Sequence, residues 1–378
     1  MTKAKWTLET TAVQAGNRQG AHGAIAMPIT LASNYRHDSL AAARDFSPAA
    51  GYSYARLATP TRRVLEQNLA RLEAGQQAFA LSSGMAAVQL ALSFLRPGDE
   101  IVALDDLYGG VFRYFGYLAE HAGIHWATWD GHEIAELVAQ LTPHTKVVWL
   151  ESPSNPLMKQ VDIAAVARAV HQFDPAIKVM VDNTFLTPVY QQPLTLGADV
   201  VVHSATKYLS GHNDLLGGAV IVKDEALAAT YYDYYLMTGD TLASFDAWLL
   251  LRSLKTLPVR MKQHTANARY LAAHLPELPG ITKVSYPGVG GMVSLTMASA
   301  ALAEQVLDHL QLISFAESLG GVESLITIPY YQTHADVPVE TRLALGITPC
   351  LLRLSVGLED PADLLADFKQ ALAPGDEP

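Results

Sequence analysis

The stretch Ala198-Asp199-Val200-Val201-Val202-His203-Ser204-Ala205-Thr206-Lys207-Tyr208-Leu209-Ser210-Gly211-His212 decides the fold. Its first half is a run of valines, the residue type that suits a strand buried on both faces. Its second half exchanges apolar side chains for small hydroxyls and one lysine. A lysine ammonium is strongly hydrated, so ending a buried strand with one is costly unless something there consumes its charge. Two readings stay open on these residues alone. Lys207 is either an interfacial cation between solvated hydroxyls, or an amine kept for a Schiff base with an aldehyde. In the second case Ser204 and Thr206 offer donors to a phosphate carried by that aldehyde.

Two further stretches favour the second reading. Val179-Met180-Val181-Asp182-Asn183-Thr184 is another apolar strand that ends in a carboxylate, 25 residues before Lys207. Pro188, Pro193 and Gly197 lie between, which leaves room for a loop and a short turn but not a long helix. Pyridoxal phosphate is a strong electron sink when its ring nitrogen stays protonated, and an aspartate is the usual partner of that nitrogen. Phe79-Ala80-Leu81-Ser82-Ser83-Gly84-Met85-Ala86-Ala87-Val88 reads as strand, small-residue turn and helix. Free N–H groups at such a helix start hold a phosphate dianion, with Gly84 allowing close backbone approach. Taken singly, Asp182 could be a turn carboxylate and residues 82–85 an ordinary N-cap. Together, each at the C-terminal end of an apolar strand, they point to a cofactor crevice.

At these residues the chain resembles the pyridoxal-phosphate enzymes of Cys and Met metabolism, the trans-sulfuration enzymes. The resemblance is carried by Tyr52-Ser53-Tyr54-Ala55-Arg56-Leu57-Ala58-Thr59-Pro60-Thr61, Ser83-Gly84-Met85, Leu107-Tyr108-Gly109-Gly110 and Glu151-Ser152-Pro153-Ser154-Asn155-Pro156. It continues through Val181-Asp182-Asn183-Thr184, Ser204-Ala205-Thr206-Lys207 and Leu352-Arg353-Leu354-Ser355-Val356-Gly357. It spans nearly the whole chain. It implies a fold type I, aspartate-aminotransferase-like α/β architecture: a mostly parallel sheet sandwiched by helices, a smaller α+β C-terminal domain and an extended N-terminal arm.

Composition bounds the alternatives. The 378 residues suffice for a large α/β core and a smaller appendage. A formal net charge of −11 argues against nucleic acid as a partner, because phosphate contacts need clustered Lys and Arg. No run approaches the ~20 apolar residues of a spanning helix. The start, Met1-Thr2-Lys3-Ala4-Lys5-Trp6, lacks an apolar signal core. With the single Cys350, which can form no internal disulfide, this fits a reducing cytoplasm. His203, His212 and Asp214 have weak metal spacing, and the histidines read as structural.

Along the chain, residues 1–58 carry turn signals and little periodicity, and read as the arm. Helix patterns follow at 61–72 and 85–95, and strand patterns at 79–81, 100–104, 146–150, 179–181 and 200–203. Helices are expected at 246–255 and 259–275. Beyond them come candidate strands at 292–297 and 351–356. This gives a cofactor domain over 59–256 and a C-terminal α+β domain over 257–378.

The resemblance assigns roles to particular residues. Lys207 would hold the aldehyde and then carry protons, and Asp182 would pair with the ring nitrogen. Gly84, Met85, Ser204 and Thr206 would bind the phosphate. Tyr54 and Arg56, in the arm, would reach the phosphate of a neighbouring subunit. That makes a dimer the minimum unit of a homo-oligomer, with tetramers built from two dimers. Many relatives have Asn where this chain has Thr59, and Thr still caps a helix that opens on proline. Tyr108 would stack on the ring and assist proton transfer. Arg353, in an otherwise apolar strand, would take the α-carboxylate of a small amino-acid substrate, with Asn155 against the ring oxygen or that carboxylate. Ser318 would orient the lysine or substrate, and Arg113 would contact the distal substrate.

The reaction stays open between γ-replacement on an O-acylhomoserine by a thiol and β- or γ-elimination. The overall look of Tyr286-Pro287-Gly288-Val289-Gly290-Gly291-Met292 leans toward the cystathionine γ-synthase type. Thr327 stands where the family resemblance suggests a reaction-selecting side chain, and it matches neither an acidic nor an aromatic pattern. A catalytically silent binding protein is disfavoured by the intact Lys207, Asp182, Tyr108 and Arg353. An aminotransferase is disfavoured by the Tyr-x-Arg arm.

Overall fold

Short apolar runs separated by turn residues form two sheets in the computed structural model, which describes residues 6–17, 19–20, 23–44 and 51–373. The expectation about the first five residues lies outside that range. The larger sheet contains β1 (Gln77–Leu81), β2 (Glu100–Leu104), β3 (His125–Trp129), β4 (Thr145–Glu151), β5 (Lys178–Asp182), β6 (Val200–Ser204) and β7 (Gly218–Val222). Their order is β1-β7-β6-β5-β4-β2-β3. The strands from β6 through β5, β4 and β2 to β3 are parallel, while β7 runs antiparallel between β6 and β1. The sheet is therefore mostly parallel, as its continuous apolar strands require.

Helices cover both faces. On one, Gly84–Leu92, Gly109–Ala122 and Glu225–Thr238 pack on Phe79, Trp149, Met180, Val200 and Val202. On the other, Pro60–Leu72 and Ser244–Leu254 pack on Ala78, Ala80 and Val201, and Ile163–Phe173 packs on Val148, Val179 and Val181. The helix Pro60–Leu72 starts as its sequence dictates: the Thr59 hydroxyl accepts from the Arg62 amide at 3.2 Å, and Pro60 needs no acceptor for its missing N–H. Between β5 and β6 the chain makes only two four-residue turns of helix, Thr187–Tyr190 and Pro193–Leu196.

The second sheet holds β8 (Ile281–Ser285), β9 (Met292–Met297), β10 (Ser314–Phe315), β11 (Leu325–Thr327) and β12 (Leu351–Ser355), in the order β10-β11-β12-β9-β8. Its pairings are antiparallel apart from β10 with β11. The helix Leu257–His274 serves both sheets, with Leu257 and Met261 in the core of the first and Ala268 and Leu271 in the core of the second.

Three features depart from the sequence reading. The arm is not wholly extended: Leu8–Val13 is a helix, and Ala12, Ala15 and Met27 are buried in the same core as Leu65. The helix expected over 85–95 stops at Leu92, three residues early. Strands β3 and β7 of the larger sheet, and β8, β10 and β11 of the smaller, lie outside the expected set. β3 is an exposed edge without a continuous apolar run, and β7 opens on a glycine pair that reads as a turn. His203 and His212 are used within the fold. His203 Nε2 lies 2.6 Å from Glu73 Oε1, and His212 Nδ1 lies 2.6 Å from the Ser210 carbonyl.

Candidate functional site

The C-terminal ends of β4, β5 and β6 open into a cavity of about 220 Å³ lined from both sheets. Strand alternation explains which side chains reach it. Trp149, Met180, Val200 and Val202 face the helix Gly84–Leu92. Two residues further along, Glu151, Asp182 and Ser204 therefore face the same way, and Glu151 is the register partner of Asp182. All three line the cavity, together with Gly84, Met85, Tyr108, Asn155, Thr206, Lys207, Ser318 and Arg353.

At one end of the cavity the helix Gly84–Leu92 presents its start. Its first-turn amides have no acceptor within the helix, and the Ser83 hydroxyl satisfies only that of Ala86, at 3.1 Å. A Cβ on Gly84 would lie 2.8 Å from Ser204 Cβ and 2.9 Å from Ser204 Oγ, so glycine keeps this cradle open. Beside it, the Thr206 hydroxyl both donates to the Gly217 carbonyl (3.2 Å) and accepts from its amide (3.0 Å), which fixes the turn that carries Lys207. Free amides, the helix dipole and hydroxyls together suit a phosphate.

Lys207 donates from Nζ to Ser318 Oγ at 2.8 Å. Burial pushes its amine down to about 8, the Arg353 charge adds to that effect, and Glu317 opposes it. Ser318 has φ +89, a left-handed conformation that costs a non-glycine residue of order 1–3 kcal/mol. That conformation presents its hydroxyl to Lys207 and its carbonyl to Arg353 Nη2, at 3.1 Å. Arg353 is 2% exposed. Its Nη1 donates to Asn155 Oδ1 at 2.9 Å, and Nε has no partner. Among the described residues no carboxylate is within ion-pair distance of it. A buried guanidinium with only neutral acceptors is suited to receive an anion.

Asp182 accepts from the Thr184 amide at 2.9 Å. Burial raises its affinity for protons, while Thr184 and His203 lower it. Glu151 is driven up further, by burial first and then by the like charge of Asp182. Burial and the like charge of the neighbouring carboxylate make this pair hold a proton more readily than an isolated carboxylate would.

Tyr108 precedes the helix Gly109–Ala122, and its amide donates to both carboxyl oxygens of Glu151 at 3.1 Å. The glycine pair after it is a packing requirement. A Cβ on Gly109 would sit 2.0 Å from the Thr333 carbonyl oxygen, and one on Gly110 would sit 2.5 Å from the Tyr108 ring.

Three residues with expected roles lie away from the cavity. Tyr54 is 50% exposed. Arg56 is also exposed, and within the protomer its guanidinium donates to the Leu236 carbonyl. Arg113 pairs with Asp336 at the surface, both side chains being more than half exposed. Thr327 is buried at 1% exposure and hydrogen-bonds to Gln332 instead of facing the cavity. Beside Asp182 and Glu151, a third acidic residue, Glu317, lines the cavity; sequence reasoning passed over Glu317, Glu151 and Thr333. Glu317 directly precedes Ser318, and that adjacency was the available signal.

Three comparisons bear on this arrangement. The family model described as Cys/Met metabolism PLP-dependent enzyme matches residues 9–373. A cystathionine gamma-synthase/O-acetylhomoserine (thiol)-lyase from Bacillus subtilis (strain 168) is 46% identical over 366 residues, covering 97% of this chain and 96% of the relative. A cystathionine gamma-synthase from Haemophilus influenzae is 41% identical, covering 98% of each chain. The crystal structure of a cystathionine gamma-lyase from Lactobacillus plantarum, complexed with L-serine, superposes with a TM-score of 0.92 at 37% identity. It covers 97% of this chain and 99% of its own.

Proposed function

The chain belongs to the family of Cys/Met metabolism PLP-dependent enzymes, and from that premise we propose γ-replacement as its reaction, joining the carbon skeleton of an O-acylhomoserine to cysteine or another thiol. Cystathionine-type β- or γ-elimination is the alternative outcome of the same machinery. Bound pyridoxal phosphate supplies a cationic ring that delocalises negative charge from the α carbon of the amino acid.

The chain's own groups then divide the work. Lys207 would offer its amine to the cofactor aldehyde and afterwards move protons at the α and β carbons, while the leaving group departs from the γ carbon and the thiol adds there. Its depressed affinity for protons, down to about 8, keeps an appreciable neutral fraction near neutral pH. Asp182 would pair with the ring nitrogen, and the Thr184 amide favours its charged form against the opposing effect of burial. The cradle of Gly84, Met85, Ser204 and Thr206 takes the phosphate. Tyr108 forms the aromatic wall. Arg353 takes the α-carboxylate, with Asn155 and Ser318 fixing its guanidinium.

The observation that carries a two-headed ligand of the cystathionine type, product of the synthesis or substrate of the eliminations, is Glu317. The cavity wall holds one buried cation, Arg353, and one exposed carboxylate, Glu317. A two-headed product such as cystathionine presents a carboxylate to the first and an ammonium to the second. Direction toward synthesis is supported by the 46% identity to a synthase.

The arm completes the reading. Tyr54 and Arg56 serve the phosphate of a neighbouring subunit, which their exposure supports. A dimer is then the smallest complete unit, and two dimers make a tetramer. Residues 1–58 act as this arm, 59–256 as the cofactor domain and 257–378 as the C-terminal domain. No helix among the described residues is long and apolar enough to cross a membrane. A cytoplasmic location accords with the lone Cys350.

The test offers O-acetylhomoserine, O-succinylhomoserine and cystathionine, each with and without cysteine, and identifies the products. Cystathionine formed from an acyl ester and cysteine is the expected result. Pyruvate as the main product from cystathionine overturns the reading in favour of β-elimination, and 2-oxobutyrate in favour of γ-elimination. Glu317→Gln should weaken the use of cysteine more than that of an amine-free thiol.

A further inference from the structure

Residues 328–337 follow β11 of the small sheet and reach the start of the helix Gly109–Ala122 beside the large sheet. Thr333 lines the cavity, and its carbonyl lies against Gly109. The next residue, His334, is 2% exposed. Its Nε2 lies 3.0 Å from the Leu107 carbonyl oxygen and 3.2 Å from that of Asn155, and its Nδ1 lies 2.9 Å from Thr333 Oγ1. Carbonyls only accept, so Nε2 carries the hydrogen, and the Thr333 hydroxyl donates to Nδ1. Every polar atom of the ring is thus engaged in one neutral tautomer. Burial, assisted by Arg353 and Arg342, holds the imidazole down at about 4 and keeps it neutral.

The two carbonyls belong to different parts of the site. Leu107 C=O shares a peptide bond with the Tyr108 amide, which Glu151 already holds. That peptide is gripped at both ends, by the imidazole on one side and the carboxyl group on the other. Asn155 accepts from His334 at its backbone and from Arg353 at its side chain. The Arg113–Asp336 pair ties the same segment down outside, but exposed pairs of this kind contribute little.

We propose that His334 is a positioning residue that couples the Tyr108 wall to the Arg353 guanidinium through the carbonyls of Leu107 and Asn155. Ring stacking and α-carboxylate capture are then set by one buried imidazole that touches neither ligand. The inference rests on the roles given above to Tyr108 and Arg353.

The test compares His334→Phe, which removes both donors and acceptors, with His334→Gln, whose amide can donate to the same carbonyls. In the holoenzyme and in cofactor-stripped protein, hydrogen exchange at the Tyr108 amide should rise about tenfold in the Phe variant, the scale of one lost buried hydrogen bond. KM for the amino-acid substrate should rise about as much, and the visible circular dichroism of the bound cofactor should weaken. His334→Gln should recover most of each change. Exchange and KM both within about twofold of the parent in a folded His334→Phe protein overturn the proposal, as does a Gln variant as impaired as the Phe variant. Arg353→Ala, run in parallel, separates the two levels. An unchanged KM there removes the reading of Arg353 itself. A raised KM there with a normal His334→Phe removes only the coupling. Should His334→Phe not fold, Thr333→Ala keeps the ring but frees Nδ1, and a smaller change of the same sign is expected. No change in Tyr108 exchange in that variant overturns the proposal.

Discussion

The strand-end wall and the arm carry equally recognisable motifs, yet they stand in opposite relations to the cavity. Asp182 and Ser204 are delivered by adjacent parallel strands whose register fixes where each side chain points, and Lys207 follows on the turn directly after β6. Tyr54 and Arg56 sit on a turn whose carbonyls are pinned from behind, since the Arg62 guanidinium donates to Ala55 O at 2.9 Å and Arg56 O at 3.1 Å. That turn is well fixed, but it faces away from its own protomer's cavity. The strand ends bring their residues together within one protomer, whereas on the proposed reading the arm residues meet a cavity only in another copy of the chain.

The largest effect expected from this contrast is at Lys207. Lys207→Ala should lower turnover by about 10³-fold or more and leave the protein colourless. Yellow protein after that change would break the strand-end half of the comparison.

The arm is tested next. Arg56→Ala should retain cofactor poorly while unfolding at the parent temperature. Mixed with Lys207→Ala subunits, it should regain activity in about a quarter of all sites, because random pairing makes half the dimers mixed and each has one intact site. Demonstrated subunit exchange without recovery would sink the shared-site reading.

Gly84→Ala isolates the cradle. By helix propensity alone the change would stabilise by about 1 kcal/mol. The new methyl would meet Ser204 at 2.8–2.9 Å, on the side where the phosphate belongs. Cofactor affinity, titrated into stripped protein, should fall about tenfold or more, with little change in melting temperature.

The smallest effect concerns stability and pH in stripped protein. The folded-state proton affinity of Lys207 is down to about 8 from an ordinary 10.5. Between those values the unfolded chain binds more protons than the folded one, so stability rises with pH across that window. Melting temperature should therefore rise from pH 8 to 10 relative to Lys207→Met. A parallel trend in both proteins would remove the burial assignment.

Much of the strand-end site was legible because periodicity, turn chemistry and function coincide there. Helix starts such as Thr59-Pro60 and strand ends such as Asp182 announce themselves locally. Glu151 and Glu317 were visible only as parts of longer motifs, since nothing local tells a carboxylate at a cavity wall from one in solvent. Thr327 shows the converse: it is the register partner of the cavity-lining Arg353, yet its hydroxyl is buried and engaged by Gln332. Gly218 carries no local signal for the start of a strand. It opens β7 because a Cβ there would lie 2.0 Å from the Ser83 carbonyl oxygen, a contact that no sequence pattern encodes.

By itself the sequence determined the mostly parallel α/β core, the strand-end lysine and aspartate and the glycine-opened helix start, because each follows from short-range pattern and residue chemistry. Only the tertiary structure decided that Glu151 would lie beside Asp182, that Arg353 would find neutral partners, and that His334 would clasp two loops. These depend on register and on the approach of two sheets, which bring together residues as far apart as Leu107 and His334. Long-range contacts of that kind are set by the packing of whole layers and not by any local stretch.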